Sequence, residues 1–262
     1  MIKAVFLDLD DTLLWDKRSV QVAFQKTCQV AEDRVGVNPE KLEVAVREEA
    51  TKLYQSYSFY SFTKKIGINP FEGLWGKFQD GKDEFVTMSE IIPQYQIDAW
   101  TKGLFALGFD DPNLGEELAE IFPNMRHSSP FLYEDSLQVL EELQKDYRLL
   151  LLTNGSPQLQ NTKLTITPEL VPYFEHIVIS GDFGIGKPDP SIFTHALELV
   201  SLSPDEVIMV GDNLLTDILG ASQAGIPSVW INREEKDVHT VTPTHEIQSL
   251  SELPELLRKI NG

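Results

Sequence analysis

The sequence predicts an α/β protein: a parallel sheet whose first strand is followed by a long, all-helical insert. Three observations carry this. Short apolar runs without polar alternation recur at residues 4–7, 148–152, 176–180, 207–210 and 227–231, as expected of strands buried on both faces. Stretches of helical spacing separate the later runs. Between Asp16 and Pro130 no strand-like run interrupts the helical pattern. The expected division is therefore 1–15 plus 131–262 for the sheet-bearing domain and 16–130 for the insert.

In chain order, Ala4 to Leu7 is the first strand, and it runs straight into Asp8. Val20, Ala23, Phe24, Thr27, Cys28 and Ala31 predict a helix that stops near Gly36. Asn38-Pro39 is a second start, a capping residue followed by proline in the first turn; Leu42, Val46 and Leu53 mark its buried stripe. From Tyr54 to Phe78 the chain is aromatic, broken by Gly67, Pro70, Gly73 and Gly76. These rings either line a pocket or form the core of the insert, and core is the better reading for most of them. Helices are expected over 84–92, 94–107, 113–122 and 134–146. Arg148 to Leu152, His176 to Ser180, Val207 to Val210 and Pro227 to Ile231 complete five strands, and Leu253 to Ile260 closes the chain as a helix.

Composition narrows the function. The chain of 262 residues carries 41 Asp and Glu against 22 Lys and Arg, a formal net charge of −19. So acidic a chain suits neither nucleic acid nor an anionic membrane as a partner. An anionic substrate has to be drawn locally, by a metal, a lysine or backbone amides. Cys28 is the only cysteine, which excludes an intrachain disulfide and fits a reducing, cytoplasmic compartment. No apolar stretch reaches the length of a membrane span, and Asp8 comes too early for a signal peptide. The five histidines show no metal spacing and read as structural or surface residues. Monomer and homodimer are both compatible with the sequence.

The chemistry is concentrated at strand ends. In open α/β sheets ligands bind just beyond the carboxyl ends of the strands, where Asp8 and Asp10 stand. Two carboxylates this close call for a cation between them, and oxygen ligands suit Mg²⁺. A helix cap explains one aspartate here, not three carboxylates in the four residues from Asp8 to Asp11. Thr153-Asn154-Gly155 at the second strand end reads as a phosphate cradle or as ordinary turn chemistry, and on its own the turn is the better reading. Lys187, between Gly186 and Pro188 in the loop GDFGIGKPDP, reads as a charge partner for the carboxylates. Asp212 sits at the fourth strand tip. Asp217, five residues on, is either a helix N-terminal carboxylate or a further group turned back toward that tip.

Asp8, Asp10, Thr12, Thr153, Lys187, Asp212 and Asp217, in the motifs DLDDT, TNG, GKPDP and GDNLLTD, resemble the haloacid dehalogenase superfamily. The resemblance implies a Rossmann-like core with a helical cap inserted after the first strand. It implies Asp8 as nucleophile, Asp10 as general acid and base, and Thr153, the Asn154 amide and Lys187 as phosphate ligands. Asp8, Asp212 and the Asp10 carbonyl are implied as ligands of one Mg²⁺, for which Co²⁺ or Mn²⁺ could substitute, with Thr12 and Asp217 in support. Dehalogenases and phosphonatases of the superfamily lack the second aspartate of the first motif. Asp10 therefore aligns this chain with the phosphatases and mutases, and with a small phosphorylated metabolite as substrate.

At closer range DLDDTLLWD, INPFEGLW, the WTKGL run, LLLLTNG and VGDNLLTDILGAS resemble a bacterial group of the superfamily assigned as phosphoserine phosphatases. The expected reaction is then hydrolysis of O-phosphoserine to serine, the last step of serine synthesis. Arg47 and Lys102 are candidates for the substrate carboxylate. A nucleoside monophosphate or sugar-phosphate phosphatase with the same core is the alternative. A catalytically silent phosphate-binding or regulatory protein is a further one, but a binder has no need of the Asp8–Asp10 pair.

Overall fold

In the computed structural model, which describes residues 1–81, 83–237 and 241–262, the chain divides into two compact units. One is Met1–Trp15 with Leu132–Gly262, and the other is Asp16–Phe131. His239 lies outside the described residues.

The chain opens with β1 (Ala4–Leu7) and then builds the helical unit: α1 (Asp16–Val35), α2 (Pro39–Ser56), α3 (Tyr60–Ile66), α4 (Pro70–Gly73), α5 (Asp83–Ala106) and α6 (Pro112–His127). It returns to the first unit with α7 (Ser136–Leu143), β2 (Arg148–Thr153), α8 (Pro157–Ile166), β3 (His176–Ile179), α9 (Ser180–Phe183) and α10 (Pro190–Val200). The remaining elements are β4 (Val207–Gly211), α11 (Leu219–Gln223), β5 (Ser228–Ile231), β6 (His245–Ile247) and α12 (Leu253–Asn261).

The six strands form one sheet in the order β3-β2-β1-β4-β5-β6, with every neighbouring pair parallel. Strand alternation divides the side chains between two cores. Val5, Leu7, Leu149, Leu151, Ile208 and Val210 pack with Leu140 of α7 and Leu257 of α12. Ala4, Phe6, Leu150, Leu152, Val207 and Met209 pack with Ile192, Phe193 and Ala196 of α10. Burial on both faces is why the strands read as unbroken apolar runs. The chain winds outward from β1 through β2 to β3, then starts again at β4 on the other side of β1. The strand order reverses between β1 and β4, the place where such sheets bind ligands.

The helical unit is held by aromatic packing. Phe24 of α1 lies 4.6 Å from Phe122 and 5.8 Å from Trp100, centroid to centroid. Tyr54 meets Phe59 and Tyr95 edge-on at 5.2 and 5.5 Å. Tyr54, Phe59, Trp75 and Phe78 are buried, whereas Tyr57, Tyr60, Phe62 and Phe71 are half-buried. Asn38 caps α2 through its side chain, with Pro39 at the first position. Ser19 is buried in α1 while Val20 is only half-buried; the Ser19 hydroxyl donates to the Ser129 carbonyl at 2.6 Å.

Several elements differ from expectation. The two helices expected on either side of Pro93 are one helix, α5. Proline inside a helix costs about 3 kcal/mol, yet Phe85, Met88, Ile92, Tyr95 and Ala99 form one buried stripe across it, and that burial outweighs the break. By the same logic α6 continues through Pro123 to His127. Leu53, expected in the buried stripe of α2, is half-buried. The helix expected over 134–146 is shorter, Ser136–Leu143. Strand β6 and helix α8 had no counterpart in the sequence pattern. β6 is a three-residue edge strand, His-Glu-Ile, too short to leave a pattern. Among the described residues, no helix is long and apolar enough to cross a membrane.

Candidate active site

β1 delivers Asp8. Its N–H still bonds the Val210 carbonyl at 3.0 Å, so the sheet ladder extends one residue past the strand and fixes the backbone at the switch point. The Asp8 carboxylate is buried. Oδ1 lies 2.6 Å from Nζ of Lys187, and Oδ2 accepts from the Thr12 hydroxyl at 3.3 Å.

Lys187 reaches this point from the loop between α9 and α10. Its ammonium has three donors and meets three oxygens: Asp8 Oδ1 at 2.6 Å, Asp217 Oδ1 at 2.7 Å and the Leu152 carbonyl at 2.6 Å. The side chain is 1% exposed. Such a charge is tolerated in the interior only because it is fully paired. Burial works to lower the Lys187 pKa, but the Asp217 and Asp8 carboxylates outweigh it and hold the amine charged. Burial raises the Asp8 carboxyl above the ordinary aspartate range; Lys187 opposes this and Asp217 adds to it.

Asp217 lies in a π-helical turn, Leu214–Ile218, that leads into α11. The wider turn brings it back, so that Asp217 Oδ2 accepts the Asn213 N–H at 3.1 Å. Gly211 sits directly beneath: a Cβ there would overlap the Asp217 carboxylate, so the last residue of β4 has no room for a side chain. Asp212 is half-buried, and its carbonyl accepts the Trp230 indole N–H at 2.8 Å. One carboxylate oxygen each from Asp8, Asp212 and Asp217 lies within 4.8 Å of the other two. Three carboxylates brought this close favour a cation between them, and the donors are all hard oxygens. This set fits a divalent cation of the Mg²⁺ type.

Thr153 and Asn154 stand at the end of β2, next to β1 in the sheet. The Thr153 hydroxyl is buried and accepts Nε2 of Gln160 at 2.6 Å. Asn154 is tied to the backbone of Lys187 by its side chain. Asp10 shares the β1 end with Asp8, but its carboxylate is not part of the three-carboxylate cluster. Oδ2 of Asp10 lies 2.8 Å from Nζ of Lys163 and 3.0 Å from Nε2 of Gln160. Sequence reading missed both partners. Their one local signal is the spacing of three on α8, directly after the TNG turn.

Arg47 belongs to the helical unit, where its charge is already engaged. The guanidinium lies 4.2 Å over Phe24 and 4.7 Å over Phe71, and it pairs with Glu43 at 2.8 Å. Lys102 is exposed on α5. His127 packs edge-on against Trp75 and His195 stacks on Phe183. Cys28 is buried, and burial pushes its thiol up to about 12.

Carboxylates, a paired lysine and a strand-end hydroxyl, gathered at the switch point of a doubly wound sheet, define a hydrolase of the haloacid dehalogenase type. The chain matches the haloacid dehalogenase-like hydrolase family over residues 2–225 and belongs to it. It is similar to the phosphoserine phosphatase of Thermus thermophilus, with 34% identity over 88% of this chain and 89% of that one. It is also similar to the N-acylneuraminate-9-phosphatase of Mus musculus, with 32% identity over 99% of this chain and 95% of that one. The fold is shared with the crystal structure of the HAD-hydrolase YfnB of Bacillus subtilis bound to magnesium, at a TM-score of 0.66, 22% identity and 98% coverage of both chains.

Proposed function

We propose that this protein is a Mg²⁺-dependent phosphatase that hydrolyses a small phosphate monoester through a phosphoryl group carried on Asp8, with O-phosphoserine as the leading substrate. The observation that carries the reading is the position of Asp8. It is a buried carboxylate at the switch point, paired to Lys187 and sharing a cation-sized cluster with Asp212 and Asp217. Similarity to the Thermus phosphatase supports the choice of substrate.

In this reading Asp8 attacks phosphorus in line and Asp10 protonates the departing alkoxide. Asp10 then takes a proton from the water that cleaves the aspartyl-phosphate. Lys187 and the Thr153 hydroxyl, with the Asn154 amide, hold the phosphoryl oxygens as charge shifts onto them. Asp8, Asp212 and the Asp10 carbonyl would hold Mg²⁺, with Asp217 supporting Lys187. When bound, the ion supplies charge neutralisation between the carboxylates and the phosphoryl group. Thr12 orients Asp8. The helical unit serves as the cap that selects the leaving group, and the buried lone Cys28 is in keeping with a cytoplasmic setting.

A sugar-phosphate substrate is the second reading, favoured by the similarity to N-acylneuraminate-9-phosphatase over nearly the whole chain. A kcat/KM screen of phosphate monoesters separates the two. Phosphoserine should exceed sugar phosphates and AMP, and phosphoethanolamine should be much poorer, because a site built around a carboxylate rejects analogues that leave it unpaired. A sugar phosphate at the head of the ranking moves the assignment to the second reading.

A further inference from the structure

Asp10, to which the proposed function gives the acid–base role, is itself gripped by two side chains that no part of that reading uses. Lys163 Nζ and Gln160 Nε2 both contact the same oxygen, Oδ2, at 2.8 and 3.0 Å. Both belong to α8, which starts right after the TNG turn and is capped by Ser156 through the Leu159 N–H. Their spacing of three puts them on one face of the helix. Lys163 is 4% exposed, so its ammonium is placed in the interior and not at the surface, where most lysines are solvated. Gln160 is fully buried. Its amide nitrogen also donates to the Thr153 hydroxyl at 2.6 Å, so one amide bridges Asp10 and the end of β2. Gly155, at φ 143° in the turn, makes room for it: a Cβ on Gly155 would lie 2.9 Å from Cδ of Gln160. An ammonium buried at this cost and aimed at a half-exposed carboxylate is hard to explain by stability alone, since buried ion pairs stabilise folds little.

We infer that Lys163 and Gln160 are positioning residues that fix the orientation of the Asp10 carboxylate for proton transfer and tie it to the phosphate-binding hydroxyl of Thr153. The inference rests on the acid–base reading of Asp10 given above. Anchoring Oδ2 from one side sets the rotation of the carboxylate, and with it the direction in which the other oxygen faces the leaving group. Misplacement of a reacting group by about 1 Å costs about 10²-fold in rate.

The test compares leaving groups in Lys163→Met, Lys163→Arg and Asp10→Asn, using O-phosphoserine, whose alkoxide needs a proton, and p-nitrophenyl phosphate, whose phenolate does not. Lys163→Met keeps the aliphatic stem and removes the charge. The rate of phosphoryl transfer to Asp8, read by rapid quench, should fall about 10²-fold on phosphoserine, with a loss several-fold smaller on p-nitrophenyl phosphate and substrate Kd changed little on either. Lys163→Arg should recover most of the difference. The Mg²⁺-induced rise in Tm should match that of the unaltered protein, which shows that the fold and the three-carboxylate cluster are intact. Equal losses on the two substrates in Lys163→Met, beside a selective loss in Asp10→Asn, would overturn this inference and leave the acid–base reading standing. Equal losses in Asp10→Asn as well would overturn both.

Discussion

Asn154 and Lys187 hold each other by two hydrogen bonds: the Lys187 N–H donates to Asn154 Oδ1 at 2.8 Å, and Asn154 Nδ2 donates to the Lys187 carbonyl at 2.9 Å. The amide side chain thus acts like a strand partner for one residue of the loop, and it fastens that loop to the end of β2. This bond pair sets where the Lys187 ammonium can reach. Asn154→Ala removes both bonds and leaves two partly buried backbone groups unpaired. At about 0.5–1.5 kcal/mol per bond, the loss should be about 1–3 kcal/mol, read as a lower urea midpoint with an unchanged m-value. Turnover should fall with it; a variant of unaltered midpoint would show that the loop is held by other means.

Asp8→Asn should abolish turnover and spare the fold. Asparagine is nearly isosteric, and Lys187 keeps Asp217 and the Leu152 carbonyl as partners. The amide is a poor nucleophile, and its introduction also removes one of the three clustered carboxylates. Circular dichroism and steady-state assays on the purified variant check this. Substantial steady-state activity would rule out phosphoryl transfer to Asp8.

Divalent metal should stabilise the protein. Asp8, Asp212 and Asp217 bring three carboxylates together, like charges repel at such range, and a cation that binds the folded state alone stabilises it by mass action. At a concentration 100 times Kd the gain is about 2.7 kcal/mol. Tm should therefore rise with Mg²⁺, and Asp212→Asn should blunt the rise. Ca²⁺ should bind yet support turnover poorly, because it accepts looser coordination. Full activity after exhaustive EDTA treatment would count against the metal.

Asp10→Asn should separate the two chemical steps. On p-nitrophenyl phosphate the first step needs no proton donor, so the variant should release a burst of p-nitrophenol and then stall with phosphate on Asp8. On phosphoserine the first step itself should be slow, by roughly 10²–10⁴-fold. Rapid quench with mass spectrometry of Asp8 measures both. Parallel losses with no trapped phosphoenzyme would remove Asp10 from the acid–base role.

The sequence by itself determined the α/β class and where five of the six strands lie. Unbroken apolar runs are the direct imprint of burial on both faces, and Asp8, Thr153 and Asp212 fall at or just past strand ends in any arrangement of those strands. It also determined the start of α2, since Asn38-Pro39 is local chemistry. What it did not carry was anything dependent on distance across the fold. Strand order, which puts β2 and β4 on either side of β1, appears in no local pattern. The Asp10–Lys163 pair spans 153 positions and the Asp10–Gln160 pair 150, so nothing near Asp10 announces either partner. Arg47 looked available in sequence, yet packing spends its charge on Glu43 and two rings. Pro93 read as a break, and only the buried stripe running through it keeps α5 whole. Periodicity reports how a segment meets solvent; which side chains meet each other is decided when the sheet assembles and brings distant strand ends and helices together.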